Sequence, residues 1–151
     1  NPQARLEGYE FQKLFLKMLV SDDVGLRVGV DFEYEKQIDP DACRHLGHKK
    51  TCKSDFKFEN FIIDTKRSVT SSERIYDQTQ RYLDHTDHLI HVTLNQKYKE
   101  EKRNNKKLTT LTVFEFIERS HEYIGTSISE DWLSIFEDYA KDSSKRIKKT
   151  Q

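Results

Sequence analysis

Residues 52–68, Cys-Lys-Ser-Asp-Phe-Lys-Phe-Glu-Asn-Phe-Ile-Ile-Asp-Thr-Lys-Arg-Ser, restrict the folds open to this chain more than any other stretch. Asp55 opens a short alternating strand, Glu59-Asn60 offers a turn, and the apolar run Phe61, Ile62, Ile63 leads into Asp64 and Lys66. Side chains along a strand alternate between faces, so Asp64 and Lys66 project from one side while Thr65 points to the other. The pattern predicts a hairpin over 54–68 that gathers two carboxylates and an ammonium group at one end. Oxygen ligands of this kind suit a hard divalent cation such as Mg²⁺, with a substrate phosphate to complete its coordination.

The flanking segments supply a sheet and its covering helices. Leu6, Tyr9, Phe11, Leu14, Phe15, Met18 and Leu19 recur at helical spacing, which predicts a helix over 4–20 with Glu10 near the edge of its apolar face. Val24, Leu26, Val28, Val30, Phe32 and Tyr34 alternate strictly with Gly25, Arg27, Gly29, Asp31, Glu33 and Glu35, the pattern of one long amphipathic strand. After the hairpin, Ser71-Ser72-Glu73 resembles a helix start, and Ile75, Tyr76, Thr79, Tyr82 and Leu83 carry a helical stripe to about His85. His88–Leu94 reads as a buried strand and 95–107 as a basic loop. Leu108–Ile117 reads as a further strand, and Ser127-Ile-Ser-Glu130 as a capping box before a last helix bearing Trp132, Leu133, Phe136 and Tyr139. The expected fold class is α/β (α+β), a central mixed β-sheet flanked by helices. With 151 residues the chain is expected to form a single domain over 1–151. Its core would lie at about 5–94, with a C-terminal strand and helix over 108–145.

Composition narrows the classes. Apolar and charged residues each make up 34%, and the formal net charge is zero, which argues against a generic polyanion binder. No apolar run reaches the roughly 18 residues of a membrane span, and no signal-peptide pattern opens the chain, so an intracellular protein without a membrane partner is expected. The chain starts at Asn1 rather than Met, which suggests a fragment or a processed product. Charge is unevenly spread: Lys97, Lys99, Lys102 and Arg103 fall in the basic stretch 97–107, and 145–149 is basic again. These segments are candidates for phosphate-backbone contact, against the plainer alternative of a solvated loop and tail. Cys43, His45, His48 and Cys52 offer four zinc-capable side chains within ten residues. Their spacing departs from common zinc patterns, so a polar loop with ordinary thiols is the competing assignment.

The hairpin spacing matches D-x(n)-(D/E)-x-K, and the chain resembles the PD-(D/E)xK, or restriction-endonuclease-like, nuclease superfamily. The order helix, strand, hairpin, helix, strand over about 5–94 is similar to that family's common core. The resemblance implies Asp55, Asp64 and Lys66 as catalytic residues, and Asp55 and Asp64 as metal ligands for Mg²⁺ or Mn²⁺. It further implies an acid on the first helix that reaches the metal, where Glu10 stands, with Glu7, Glu33 and Glu35 as competitors. Gln78-Thr-Gln-Arg-Tyr82 resembles the Q-x-x-x-Y motif of an exonuclease-rich branch, in which the pair contacts DNA or supports the site. Two departures are present: Ser54 replaces the usual proline, and the gap between the acids is short. His85, His88 and His91 straddle a helix end and a strand and do not read as one metal site.

The resemblance implies a Mg²⁺-dependent DNA endonuclease, as a restriction-type cleavage domain or a small repair or recombination nuclease. Lys66 beside two carboxylates is favoured in its charged form, so it is expected to stabilise charge rather than serve as a free base. The alternatives are a non-catalytic nucleic-acid-binding module of the same fold and an RNA-directed endonuclease. No base-reading module is recognisable, so a separate recognition domain or subunit is an expected partner beside DNA itself. A homodimer would supply two active sites for two strands. The apolar residues of the last helix are a candidate seam, with core packing as the rival use.

Overall fold

The computed structural model describes residues 2–37, 53–67 and 73–150, with side chains at 7–35, 55–67 and 78–142. The cysteine–histidine segment 43–52 lies outside these residues.

Helix α1 (Pro2–Leu19) leads through turns to β1 (Glu33–Gln37), and the hairpin of β2 (Lys53–Lys57) and β3 (Ile62–Thr65) follows. Helix α2 (Glu73–Leu83) then connects to β4 (His88–Thr93), followed by the hairpin β5 (Lys99–Arg103) and β6 (Lys106–Thr112). Three helices close the chain: α3 (Val113–Glu118), α4 (Ser120–Ile124) and α5 (Asp131–Thr150). The six strands form one open mixed sheet in the order β1-β2-β3-β4-β6-β5. The central strands β3, β4 and β6 are parallel, and the outer pairings are antiparallel. Parallel strands bury both faces, which is why β3 and β4 read as near-continuous apolar runs.

Among the described residues, the two faces of the sheet carry separate apolar clusters. Phe11, Phe15, Met18 and Leu19 of α1 pack with Phe56, Ile63, Ile90, Val92, Leu111, Phe116 and Phe136 in the larger core. Phe15 anchors it, with ring centroids 5.1 Å from Phe56 and 5.2 Å from Phe116. The opposite face is a small cluster in which Tyr82 and Leu83 of α2 cover Ile62, Leu89 and Leu108. Alternation along β3 and β4 therefore sends Asp64 and His91 to the face that α2 covers. Trp132 and Phe136 of α5 are buried, and the Tyr139 ring stacks on Phe11, so this apolar stripe belongs to the core. No helix among the described residues is long and apolar enough to cross a membrane.

Four sequence expectations are corrected. Residues 24–32 do not continue β1: Gly25 and Gly29 have φ of +74° and +84°, and the Arg27 and Gly29 backbone groups bond within a tight turn. Strict alternation is thus broken by glycines that reverse the chain, leaving Val28 and Val30 exposed. The basic loop 95–107 contains strand β5 and the start of β6, joined at Asn104-Asn105, both at positive φ as a tight hairpin turn demands. The strand expected to reach Ile117 stops at Thr112, whose hydroxyl accepts from Glu115 N while Glu115 accepts from Thr112 N. That is a capping box, and it starts α3. At α5 the hydroxyl of Ser129, not Ser127, accepts from Asp131 N at 3.3 Å.

Candidate active site

The site forms where β2 and β3 part. Their ladder runs through Lys57 opposite Ile62 and Phe56 opposite Ile63, so the next step sets Asp55 opposite Asp64. Here the backbone pairing gives way to a side chain: Asp55 Oδ2 accepts from Thr65 N at 2.9 Å and from Thr65 Oγ1 at 3.0 Å. The Thr65 hydroxyl is therefore engaged with Asp55, although alternation alone directs it to the other face. The two carboxyls are close enough for each to act on the other's proton. Like charges directly across a sheet repel, and burial amplifies the repulsion.

The pair divides its proton unequally. Burial, then the Asp64 charge, pushes the Asp55 carboxyl well above the ordinary carboxylate range. Burial acts upward on Asp64 too, but the Lys66 ammonium and then His91 outweigh it, and Asp64 is held well below that range. Of the two, Asp64 is thus favoured in the charged form and Asp55 in the protonated form.

Lys66 follows β3, and its Nζ lies 3.4 Å from Asp64 Oδ2. The same Nζ donates to Gln78 Oε1 at 2.7 Å, and Gln78 Nε2 reaches Tyr82 Oη at 3.0 Å. Gln78 and Tyr82, one turn apart on α2, thereby form a strut that fixes the ammonium group. Tyr82 is buried, and burial followed by the Asp64 and Asp55 charges pushes its phenol up. The structure thus brings Asp55, Asp64, Lys66, Gln78 and Tyr82 together.

The other candidates lie as follows. Glu10 is half-buried on α1. Glu7, one turn earlier, is buried, its carboxylate pairs with Arg67 just beyond Lys66, and its backbone carbonyl accepts from Tyr139 Oη at 2.8 Å. The signal was present, since Glu7 precedes Phe11 and Phe15 by four and eight residues on the packed stripe. Glu35, at φ 53°, accepts from Gln12 Nε2 at 3.2 Å. Lys97, Lys99, Lys102 and Arg103 lie at or in β5, on the sheet edge three strands from β3. There Lys99 and Arg103 both pair with Glu101.

Sequence reasoning missed His91. It lies opposite Asp64 in the parallel register of β3 and β4, only 2% exposed, with Nδ1 3.5 Å from Asp64 Oδ2. Among the described residues neither of these two atoms has a hydrogen-bond partner of normal geometry. An unsatisfied buried polar atom costs about 1–3 kcal/mol, so a further polar partner at this corner would be stabilising.

Among the described residues no group of three or more His, Cys, Asp or Glu side chains is arranged to hold a metal ion. A donor set of two carboxyls still fits Mg²⁺, which keeps several waters and is commonly bound by one or two carboxylates plus substrate phosphates. The opposed acids and the unsatisfied Asp64 Oδ2 are the features that such an ion would relieve. No protein-family model, curated protein or solved structure matches the chain.

Proposed function

We propose that this protein is a divalent-metal-dependent endonuclease that hydrolyses DNA phosphodiesters on a restriction-endonuclease-like core. The observation that carries the proposal is the pair Asp55 and Asp64, brought together where β2 and β3 part, with Lys66 held 3.4 Å from Asp64 Oδ2. A purely structural hairpin gains nothing from two opposed acids at a strand divergence. What supports the core assignment is the helix, the hairpin carrying the acids, the crossover helix and the parallel strand, in that order.

Asp55 and Asp64 would hold Mg²⁺ or Mn²⁺, which when bound neutralises phosphate charge and acidifies a coordinated water. Asp64 is already ionised. Asp55 must release its proton for an ion to enter, so metal affinity should rise with pH. Lys66, tied to Gln78 and charged, would stabilise the negative charge that builds on the phosphate during attack. The Gln78–Tyr82 strut keeps the ammonium group in position before substrate arrives, so little reorganisation is needed at the moment of reaction.

The test is incubation of supercoiled, linear and branched DNA, and of matched RNA, with Mg²⁺ or EDTA beside an Asp64→Asn control. Metal-dependent cleavage of DNA that disappears in the control is expected. Cleavage of RNA alone would redirect the substrate, and equal cleavage by Asp64→Asn and the native protein would defeat the assignment.

A further inference from the structure

We infer that His91 is a positioning residue for Asp64, acting as an Nδ1–H donor that fixes the rotation of the metal-binding carboxylate. The inference rests on the proposed nuclease site and adds to it a residue from the neighbouring strand.

Register supplies the first part of the argument. Parallel pairing sets His91 of β4 directly beside Asp64 of β3, so both side chains rise from the same face. The imidazole is 2% exposed and has no access to bulk water that would satisfy its nitrogens. Its Nδ1 lies 3.5 Å from Asp64 Oδ2, and its Nε2 lies 3.5 Å from Thr79 Oγ1 on α2.

Hydrogen-bonding chemistry then fixes which nitrogen must carry a proton. A metal-binding carboxylate can only accept, so the nitrogen facing Asp64 is the one that must donate. A hydroxyl can donate or accept, so Thr79 suits Nε2 with or without a proton. A proton on Nδ1 therefore suits both neighbours at once. The Nε2–H tautomer would turn a lone pair on Nδ1 toward the Asp64 charge.

The other charged and polar groups packed around Asp64 agree with this role. Lys66 Nζ approaches the same oxygen, Oδ2, from the end of β3 at 3.4 Å. Two potential donors, one just past β3 and one on β4, thus approach one oxygen and together would hold the plane of the carboxyl group. Asp55 meets the carboxyl from β2. The 3.5 Å separations are long for hydrogen bonds, as is common for catalytic contacts before a ligand tightens them.

Two substitutions separate this role from plain packing. In His91→Asn the amide nitrogen falls near the position of Nδ1 and keeps the donor to Asp64. In His91→Gln the amide reaches toward Thr79 and the donor to Asp64 is lost. Mn²⁺ affinity by titration calorimetry should stay within about threefold of native in His91→Asn and fall roughly 10–100-fold in His91→Gln, the usual range for lost outer partners of a metal ligand. Equal losses in the two variants, or a larger loss in His91→Asn, would overturn the inference, as would native affinity in both. Nitrogen-15 NMR of the native ring gives a test that needs no variant: a protonated Nδ1 is expected, and a ring protonated at Nε2 alone would refute the role. If the native protein itself binds no Mn²⁺, the metal site falls and this inference with it. Native binding that is insensitive to His91→Gln removes the inference alone.

Discussion

Two hairpins of this sheet carry charged side chains to opposite ends of the strand order, and they treat charge in contrary ways. In β5–β6, Lys102 opposes Lys107 and Arg103 opposes Lys106, but opposite charges lie close by in exposed or half-buried positions: Lys99 and Arg103 pair with Glu101, and Lys107 pairs with Glu100 at 3.1 Å. In β2–β3, Asp55 opposes Asp64 against a buried face, and the compensating Lys66 comes from the strand end rather than from across the ladder. Exposed, complementary pairs contribute little and mainly keep an edge strand from pairing with other chains. Buried like charges cost stability, and a cost borne in a small core marks a site shaped by something other than folding. Charge density alone would point to the β5 stretch. Charge conflict points to the β3 end.

The contrast can be broken most severely at Asp64. Asp64→Asn keeps the shape and removes the charge, and should abolish metal-dependent DNA cleavage while circular dichroism remains native. Lys66→Met should lower kcat by about 10²–10³-fold, the scale of losing one charge-stabilising group. Gln78→Leu, which leaves the ammonium in place but unbraced, should have a smaller effect of the same sign.

A third experiment measures the conflict itself. Because Asp55 has a raised pKa in the folded protein, its stabilising contribution is complete below the ordinary carboxylate value and is lost as pH rises through the raised folded value. Without metal, the native protein should therefore lose stability as pH rises across that window. Asp55→Asn should remove this loss and gain about 0.5–2 kcal/mol on its alkaline side, as relief of a functional strain commonly does. Added Mg²⁺ should stabilise the native protein but not the variant, which thermal unfolding at several pH values would reveal. The smallest effect is expected at the other hairpin, where Glu101→Gln should change stability by no more than about 0.5 kcal/mol.

The hairpin, both long helices and β4 were legible because their signals are local. Apolar spacing, a turn and a strand-ending D-x-K lie within a few residues of each other. The false continuation of β1 through 24–32 shows the limit of periodicity: alternation at Val24, Leu26, Val28 and Val30 continued while Gly25 and Gly29 turned the chain. Thr112-Val-Phe-Glu115 was as clear a capping box as the one assigned before α5, but the β-branched run before it masked the change of element. In the site, Asp55, Asp64 and Lys66 could be named from spacing and Gln78 and Tyr82 from the family resemblance, whereas the Lys66–Gln78 contact could not. His91 was hidden for a deeper reason. Its role depends on the register between parallel strands separated by a helix, which no local pattern encodes.

Titration of Mn²⁺ into the native protein, in two buffers of different ionisation enthalpy, addresses the opposed carboxyls most directly. Binding with release of about one proton per ion, lost in Asp64→Asn, is the predicted result, since the ion must displace the proton held by Asp55. Absence of binding, or equal binding by Asp64→Asn, would contradict the account.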